Sequence, residues 1–412
     1  MIPPSAFHPP LSLYVHVPVC SSRCAYCDFF SRAAGDYPEG ALENLVDATL
    51  SRLDGFRSAL PGLEAGFETV YIGGGTPTAL PLPAFSRLLE GLKARVGSPR
   101  EWSMEANPES LDEARLEAAL GAGVNRLSLG VQSLDDGLLG RLGRRARSAD
   151  CRRALCLAAA QGGLSVSADL IAGLPRDRPL AEEAGELLDL GVGHLSVYDL
   201  SLEEGTVLEA MVASGAFALP GEDEAADERK EAELLLASRG FRRYEVSNYA
   251  LPGQECRHNL CYWHMDSYLG VGPGAVSTLQ ALPEGGGGEG GACSLRIEEA
   301  RDPGREALET PIGLKDAAFE MLMMGFRTIY GLDRAAFEAR FGIDAYSLIE
   351  KSVAKWRGRL VPAEAWPGRL SRESTGTVLP VSPPSFALDS RGLDLLNAFL
   401  VDCLGEIDEE LR

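Results

Sequence analysis

The sequence predicts an α/β fold, a partial (β/α)6 TIM-like barrel with a small, helix-rich C-terminal domain. Between Leu11 and about Leu200, short runs rich in Val, Ile and Leu alternate with helix-like segments, the pattern of a parallel sheet wound by βα units. Each run ends in a polar or glycine-rich turn. After about residue 305 the pattern turns helical. These observations divide the chain into a barrel core over 10–240, an extension over 241–304 and a C-terminal domain over 305–412.

In order, the strand expectations are 11–17, 69–72, 101–106, 126–130, 165–171 and 194–200. Pro and Gly at 219–222 introduce a charged helix over 222–238, and another strand is expected over 243–246. EGGGGEGG at 284–291 has no side chains to pack and reads as a flexible surface loop. MLMMGFRTI and LDRAAFEARFG read as helices, and FALDSRGLDLLNAFLVDCL as a short strand leading into an amphipathic helix. The stretch 356–384 carries no recognisable motif.

Composition narrows the function. At 45% hydrophobic and 24% charged, the 412-residue chain is ordinary globular material. A net charge of −21 repels phosphate backbones, which argues against nucleic acid as a partner. There is no signal-like N-terminus and no run of about 18 apolar residues, so no membrane span is expected. Peripheral membrane association stays open. Nine cysteines, an odd number, fit a reducing compartment, and a cytoplasmic protein is expected.

Cys20, Cys24 and Cys27 follow the first strand with C-x3-C-x2-C spacing, so three thiolates can converge from one loop. Structural zinc wants four protein ligands, and no nearby Cys or His completes that set. Three cysteines on a [4Fe–4S] cluster leave one iron free for an outside ligand. Further polar residues fall at or after strand ends. Gly73, Gly74 and Gly75, with Thr76 and Pro77, let backbone approach a ligand; Glu105, Gln132, Arg144 and Asp169 follow on later strands. Asp169 in an apolar strand needs partners, whereas Arg144 could equally belong to a solvated basic run with Arg141, Arg145 and Arg147. Tyr14 and His16 share a face of the first strand. Tyr26 can pack on a ligand or shield a cluster from water.

The cysteine loop resembles that of the radical S-adenosylmethionine (SAM) superfamily. The resemblance implies a [4Fe–4S] cluster on Cys20, Cys24 and Cys27, and reductive cleavage of SAM to methionine and a 5′-deoxyadenosyl radical. It implies SAM contacts from Tyr14, Tyr26, Gly74, Gly75, Thr76, Glu105, Gln132, Arg144 and Asp169. YVHVPVCSSRCAYCDF, IGGGTPTAL, MEANPE, GVNRLSLGVQS, DLIAGLP and YLGVGPGA are similar to the coproporphyrinogen oxidase-like group. Its oxygen-independent oxidase branch decarboxylates two propionates of a porphyrinogen and carries an additional Cys where this chain has Phe29. Its heme chaperone branch carries H-N-x-x-Y-W, present as His258, Asn259, Tyr262 and Trp263. The second likeness implies heme as a bound client ligand, with His258, Tyr262 and Trp263 as heme candidates and Cys256 and Cys261 as alternative ligands. It further implies a heme-accepting client protein and an electron donor. Two histidines usual in that branch are replaced by Val276 and Ala146.

Overall fold

The computed structural model describes residues 7–282, 292–302, 304–364 and 385–411. The expected glycine-rich loop at 284–291 and residues 365–384 lie outside them. Six strands pair in parallel and in sequence order: β1 (Ser12–Val17), β2 (Thr69–Gly74), β3 (Glu101–Ala106), β4 (Arg126–Gln132), β5 (Ser165–Ala172) and β6 (His194–Asp199). Helices α1 (Ala41–Ala59), α2 (Leu82–Val96), α3 (Glu113–Ala122), α4 (Ser148–Ala159) and α5 (Leu180–Asp189) cross over between them, and α6 (Glu222–Ser238) follows β6. This is the expected open (β/α)6 arrangement.

Strand alternation sorts the side chains. Leu13, Val15, Val70, Ile72, Trp102, Met104, Leu127, Leu129, Ala168 and Leu195 are buried in the main core with the apolar faces of the helices. The alternate positions are mostly polar and line the barrel interior: Tyr14, Tyr71, Glu105, Ser128, Asp169 and Ser196 among them.

The sheet does not stop at β6. β7 (Arg242–Arg243) and β8 (Asn248–Ala250) extend that edge antiparallel. β9 (Tyr268–Val271) joins β1 in parallel, and β10 (Val276–Gln280), β11 (Ser294–Glu298) and β12 (Leu308–Ile312) add antiparallel beyond it. The result is one twelve-stranded sheet, order β12-β11-β10-β9-β1-β2-β3-β4-β5-β6-β8-β7. The expected boundaries at 240/241 and 304/305 therefore fall within a continuous sheet. The strand expected over 243–246 is corrected: the chain turns there, Tyr244 N donates to Asn248 O, and Glu245 bridges to Thr328 instead.

C-terminal helices α8 (Leu314–Gly325), α9 (Arg334–Phe341) and α10 (Leu396–Glu410) gather a second core around Leu322, Phe326, Phe337 and Phe399, which Met265 joins. A two-strand ladder pairs Leu360–Pro362 with Phe386–Leu388. Among the described residues no helix is long and apolar enough to cross a membrane.

One end of the barrel is plugged by 244–263, which contains α7 (Arg257–Trp263). Its contacts are to the first residues of the strands. Glu101 accepts from the backbone N–H of Arg257 and His258, both at 2.9 Å. Arg126 donates to Gln254 O at 2.8 Å, Ser12 Oγ to Cys261 Sγ at 2.9 Å, and His194 Nε2 meets Tyr244 Oη at 2.8 Å. Glu101→Leu leaves the N–H groups of Arg257 and His258 without their acceptor, so a loss of about 3 kcal/mol is expected. Urea denaturation of the purified variant measures it; an unchanged midpoint would mean the plug is not held by this carboxylate.

Candidate functional site

The other end of the barrel, at the carboxyl ends of the strands, is open. Cys20 ends a two-residue ladder in which Val19 and Cys20 pair with Arg32 and Ala33. From there the cysteine loop is pinned by backbone: Ala25 N donates to Leu142 O, and Leu208 N to Ala25 O, each at 2.8 Å. Cys20, Cys24 and Cys27 line one cavity of about 500 Å³ with Tyr26, Gly74, Gly75, Thr76, Glu105, Gln132, Arg144 and Asp169. Burial raises the thiol pKa of Cys20 and Cys27. Among the described residues no three His, Cys, Asp or Glu side chains converge as a single-ion site. The three thiols instead share a roomy wall.

The glycines are required sterically. A Cβ on Gly74, whose φ is +100°, would sit 2.3 Å from the His16 ring, and one on Gly75 would sit 2.6 Å from Val19 O. On Gly73 it would strike the Glu105 carboxyl at 2.7 Å. Glu105 is held by Tyr71 Oη at 2.8 Å and Gly74 N at 3.2 Å. Burial still pushes its pKa up to about 7, with the Asp169 charge adding to the effect. Asp169 accepts from Ser128 Oγ at 3.2 Å, and burial pushes it up to about 6 against the hydrogen bonds from Ser196 and Ser128. Gln132 adopts a φ of +69°, at a bulge that shifts the β4–β5 register between Gly130 and Gln132. A non-glycine residue held in that region turns its side chain off the regular ladder toward the cavity it lines.

Arg144 is not on a solvated face. It is buried, donates to Gly130 O and to Asn107 Oδ1 (3.3 Å), and its Nη1 lies 3.6 Å from Cys24 Sγ. Its Nε has no protein partner. Tyr26 packs beside Ala25, Leu138, Leu142 and Leu208 while lining the same cavity.

Two expected residues sit apart from the wall that carries the three cysteines. Tyr14 does not line the cysteine cavity; its hydroxyl meets His16 Nδ1 at 2.9 Å, and both residues line a second cavity of about 410 Å³. That cavity lies between the β1–β9–β10 part of the sheet and α8, and includes Tyr262, Trp263, Tyr268, Val276 and Met324. His258 has protein partners at both ring nitrogens. It is buried in the plug, with Nδ1 at 2.9 Å from Thr69 Oγ1 and Nε2 at 2.8 Å from Tyr262 Oη, and desolvation lowers its pKa to about 3. Cys256 and Cys261 are buried beside it and hydrogen-bonded to Glu101 and Ser12. Ala146 is packed in the main core.

Tyr71, Asn107, Ser128 and Tyr198 were missed. Strand alternation places Tyr71 two residues before Gly73 and Ser128 two before Gly130, so periodicity could have found those two. Asn107 and Tyr198 become apparent only with the cavity.

The residues present fit a cluster and SAM. Three thiols on one wall supply the cluster's soft ligands. The unpaired Arg144 Nε suits a carboxylate, the two recessed carboxylates suit ammonium and hydroxyl donors, and Gly74 and Gly75 bring bare backbone to the cavity wall.

A pH signature follows from the raised carboxylates. Folded Glu105 keeps a proton that the unfolded chain has already lost, so its contribution to stability falls as pH rises from its unfolded value through about 7. In Glu105→Gln the loss of apo-protein Tm between pH 5 and pH 8 should shrink. An identical pH dependence in parent and variant would show that Glu105 titrates normally.

The radical SAM superfamily pattern matches residues 14–189, and the HemN C-terminal domain pattern residues 312–365. The heme chaperone HemW of Escherichia coli (strain K12) is 37% identical over 81% of this chain and 87% of its own length. The mitochondrial radical S-adenosyl methionine domain-containing protein 1 of Bos taurus is 37% identical over 78% of this chain and 74% of its own. The solved structure of E. coli coproporphyrinogen III oxidase, HemN, shares the fold at a TM-score of 0.73 over 96% of this chain and 90% of that chain, at 19% identity. With that identity to HemW over most of both chains, and three cysteines in the cavity that the radical SAM pattern spans, the protein belongs to the heme chaperone HemW family of the radical SAM superfamily.

Proposed function

We propose that the protein is a radical SAM-type heme chaperone that binds a [4Fe–4S] cluster, SAM and heme and delivers heme to an acceptor protein. The observation that carries this reading is the 37% identity to a heme chaperone over 81% of the chain. Cys20, Cys24 and Cys27 would hold the cluster, with Arg144 Nη1 beside Cys24. When bound, cluster and SAM supply one-electron chemistry. Tyr26, Gly74, Gly75, Thr76, Glu105, Gln132, Arg144 and Asp169 would bind SAM: Glu105 and Asp169 as acceptors, Arg144 as donor, the glycines as a cradle. Tyr14, on the strand that leads into the cysteine loop, would join this group from beside His16.

For heme, Tyr262 and Trp263 would act as walls of the second cavity, and His258 would orient Tyr262. Trp263 Nε1 and Gln280 Nε2 are buried without partners there, a polarity an apolar ligand with acidic substituents can use. Nine free cysteines suit a reducing compartment.

Three measurements test the reading on anaerobically reconstituted protein. Hemin titrated by absorbance should bind stoichiometrically, without SAM-dependent decarboxylation of coproporphyrinogen; multiple-turnover decarboxylation would make the protein an oxidase despite Phe29. Cys24→Ala should lose the visible absorption of the cluster, and an unchanged spectrum would move the ligand set elsewhere. Trp263→Ala should weaken hemin binding by about tenfold, the scale of one lost aromatic contact, while His258→Gln should lower Tm more than hemin affinity. The reverse order would return the iron to His258.

A further inference from the structure

Part of the cysteine cavity takes its shape from residues that do not line it. Gln132 and Ile171 are lining residues, at the ends of the adjacent strands β4 and β5. Both stand where the backbone leaves regular structure. Gln132 has a φ of +69°, and Gly173, two residues past Ile171, a φ of +72°. A non-glycine residue keeps such a φ only where its surroundings over-determine it. Ile171 also packs with Ala25 and Tyr26 of the cysteine loop, so a shift of β5 at this point would be felt there.

What holds both strand ends is a buried charged brace. Arg176 and Glu183, the latter on α5, form the most deeply buried ion pair among the described residues, with side chains 3% and 0% exposed and Nη1 2.7 Å from Oε2. The other Glu183 oxygen faces the residues that follow Gln132: Oε1 accepts from Ser133 Oγ at 2.8 Å and from Leu134 N at 2.9 Å. The rest of the Arg176 guanidinium serves β5. Nη2 donates to Ile171 O, and Nε lies 2.8 Å from Oε1 of Glu228 on α6. Glu228 Oε2 in turn accepts from Gly173 N at 3.1 Å. Asp177 N adds a tie back to the β4 side, donating to Asp135 Oδ2 at 3.3 Å. One guanidinium and two carboxylates thus fix the exits of two neighbouring strands. None of the three lines the cavity.

Stability alone does not account for such a brace, because a well-packed apolar pair in place of a buried ion pair is often no less stable. Direction does. An apolar pair cannot accept two donors from one strand exit and donate to the carbonyl of the next, whereas a planar guanidinium fork with a carboxylate on each side does so at fixed angles. We propose that Arg176, with Glu183 and Glu228, positions Gln132 and Ile171 for SAM, holding both in their ligand-ready arrangement before SAM enters. Binding then does not have to order them, and the affinity that ordering would take away is kept.

The positioning role rests on the assignment of SAM to this cavity, and one set of measurements keeps the two apart. Equilibrium dialysis with radiolabelled SAM compares the anaerobically reconstituted parent with Arg176→Lys and with Glu101→Leu, the variant weakened at the plugged end of the barrel. Lysine keeps a charge for Glu183, but a single ammonium does not hold both carboxylates and Ile171 O together. Arg176→Lys should keep the parent's cluster absorption and bind SAM about tenfold more weakly, the scale of ordering two side chains on binding. Glu101→Leu should bind SAM as the parent does. In the apo protein, amide hydrogen exchange of Arg176→Lys should quicken at the ends of β4 and β5 and stay unchanged in β1 and β2. Parent-like SAM affinity in Arg176→Lys, or an equal loss in Glu101→Leu, would reduce the brace to a structural ion pair. If the parent itself binds no SAM, the assignment of the cavity is wrong and the positioning role falls with it. Should Arg176→Lys fail to fold, Glu183→Gln takes its place, because the amide oxygen still accepts from Ser133 and Leu134 while the charge that aligns Arg176 is gone; the same tenfold loss is expected, and parent-like affinity overturns the proposal.

Discussion

The constraint on which this fold turns is a barrel interior lined with polar side chains. Six parallel strands give their apolar residues to the helices and point the alternate ones inward, where each must find a hydrogen-bond partner or remain costly. The two ends of the barrel solve this differently. At the amino ends of the strands, the chain returns after β7 and fills the opening, so Glu101, Arg126, His194 and Ser12 are bound to the plug, although Arg126 Nη2 keeps no partner. At the carboxyl ends the partners are incomplete: Arg144 keeps an unpaired Nε, and Glu105 and Asp169 are held at pKa values of about 7 and about 6.

That difference explains where chemistry and structure reside. An end filled by the chain excludes ligands, whereas an open end leaves polar groups whose cost to the apo protein a ligand can relieve. The H-N-x-x-Y-W segment belongs mainly to the plugged end. His258 has a hydroxyl at each ring nitrogen, and only Tyr262 and Trp263 reach a cavity. The segment's first contribution is therefore to seat the sheet, and any ligand it meets is met by its aromatic edge.

The strands β1 to β6, the charged helix at 222–238 and the three-cysteine loop were legible because each is written locally, in period-two alternation, charge and spacing. The sheet edges were not. Nothing in β9 to β12 says that β9 will lie parallel to β1, and the boundaries drawn at 240 and 305 fall between strands of one sheet. The strand placed over 243–246 failed for a similar reason: Arg243 and Val246 look extended, yet Tyr244 N closes a turn to Asn248 O.

The sequence by itself determined the α/β alternation, the thiol spacing and the inward polar positions on each strand, because covalent geometry fixes which side chains share a face. It could not determine at which end of the barrel a polar side chain would find a partner, or whether that partner would come from the chain. Arg144 read equally well as a solvated residue and as a ligand contact until the loop from Arg23 to Ala25 was seen packed on 142–145. Tyr14, on the strand that leads into the cysteine loop, lines another cavity with β9 and β10. Register and chain return bring together residues as far apart as Thr69 and His258, and only the tertiary structure carries that information.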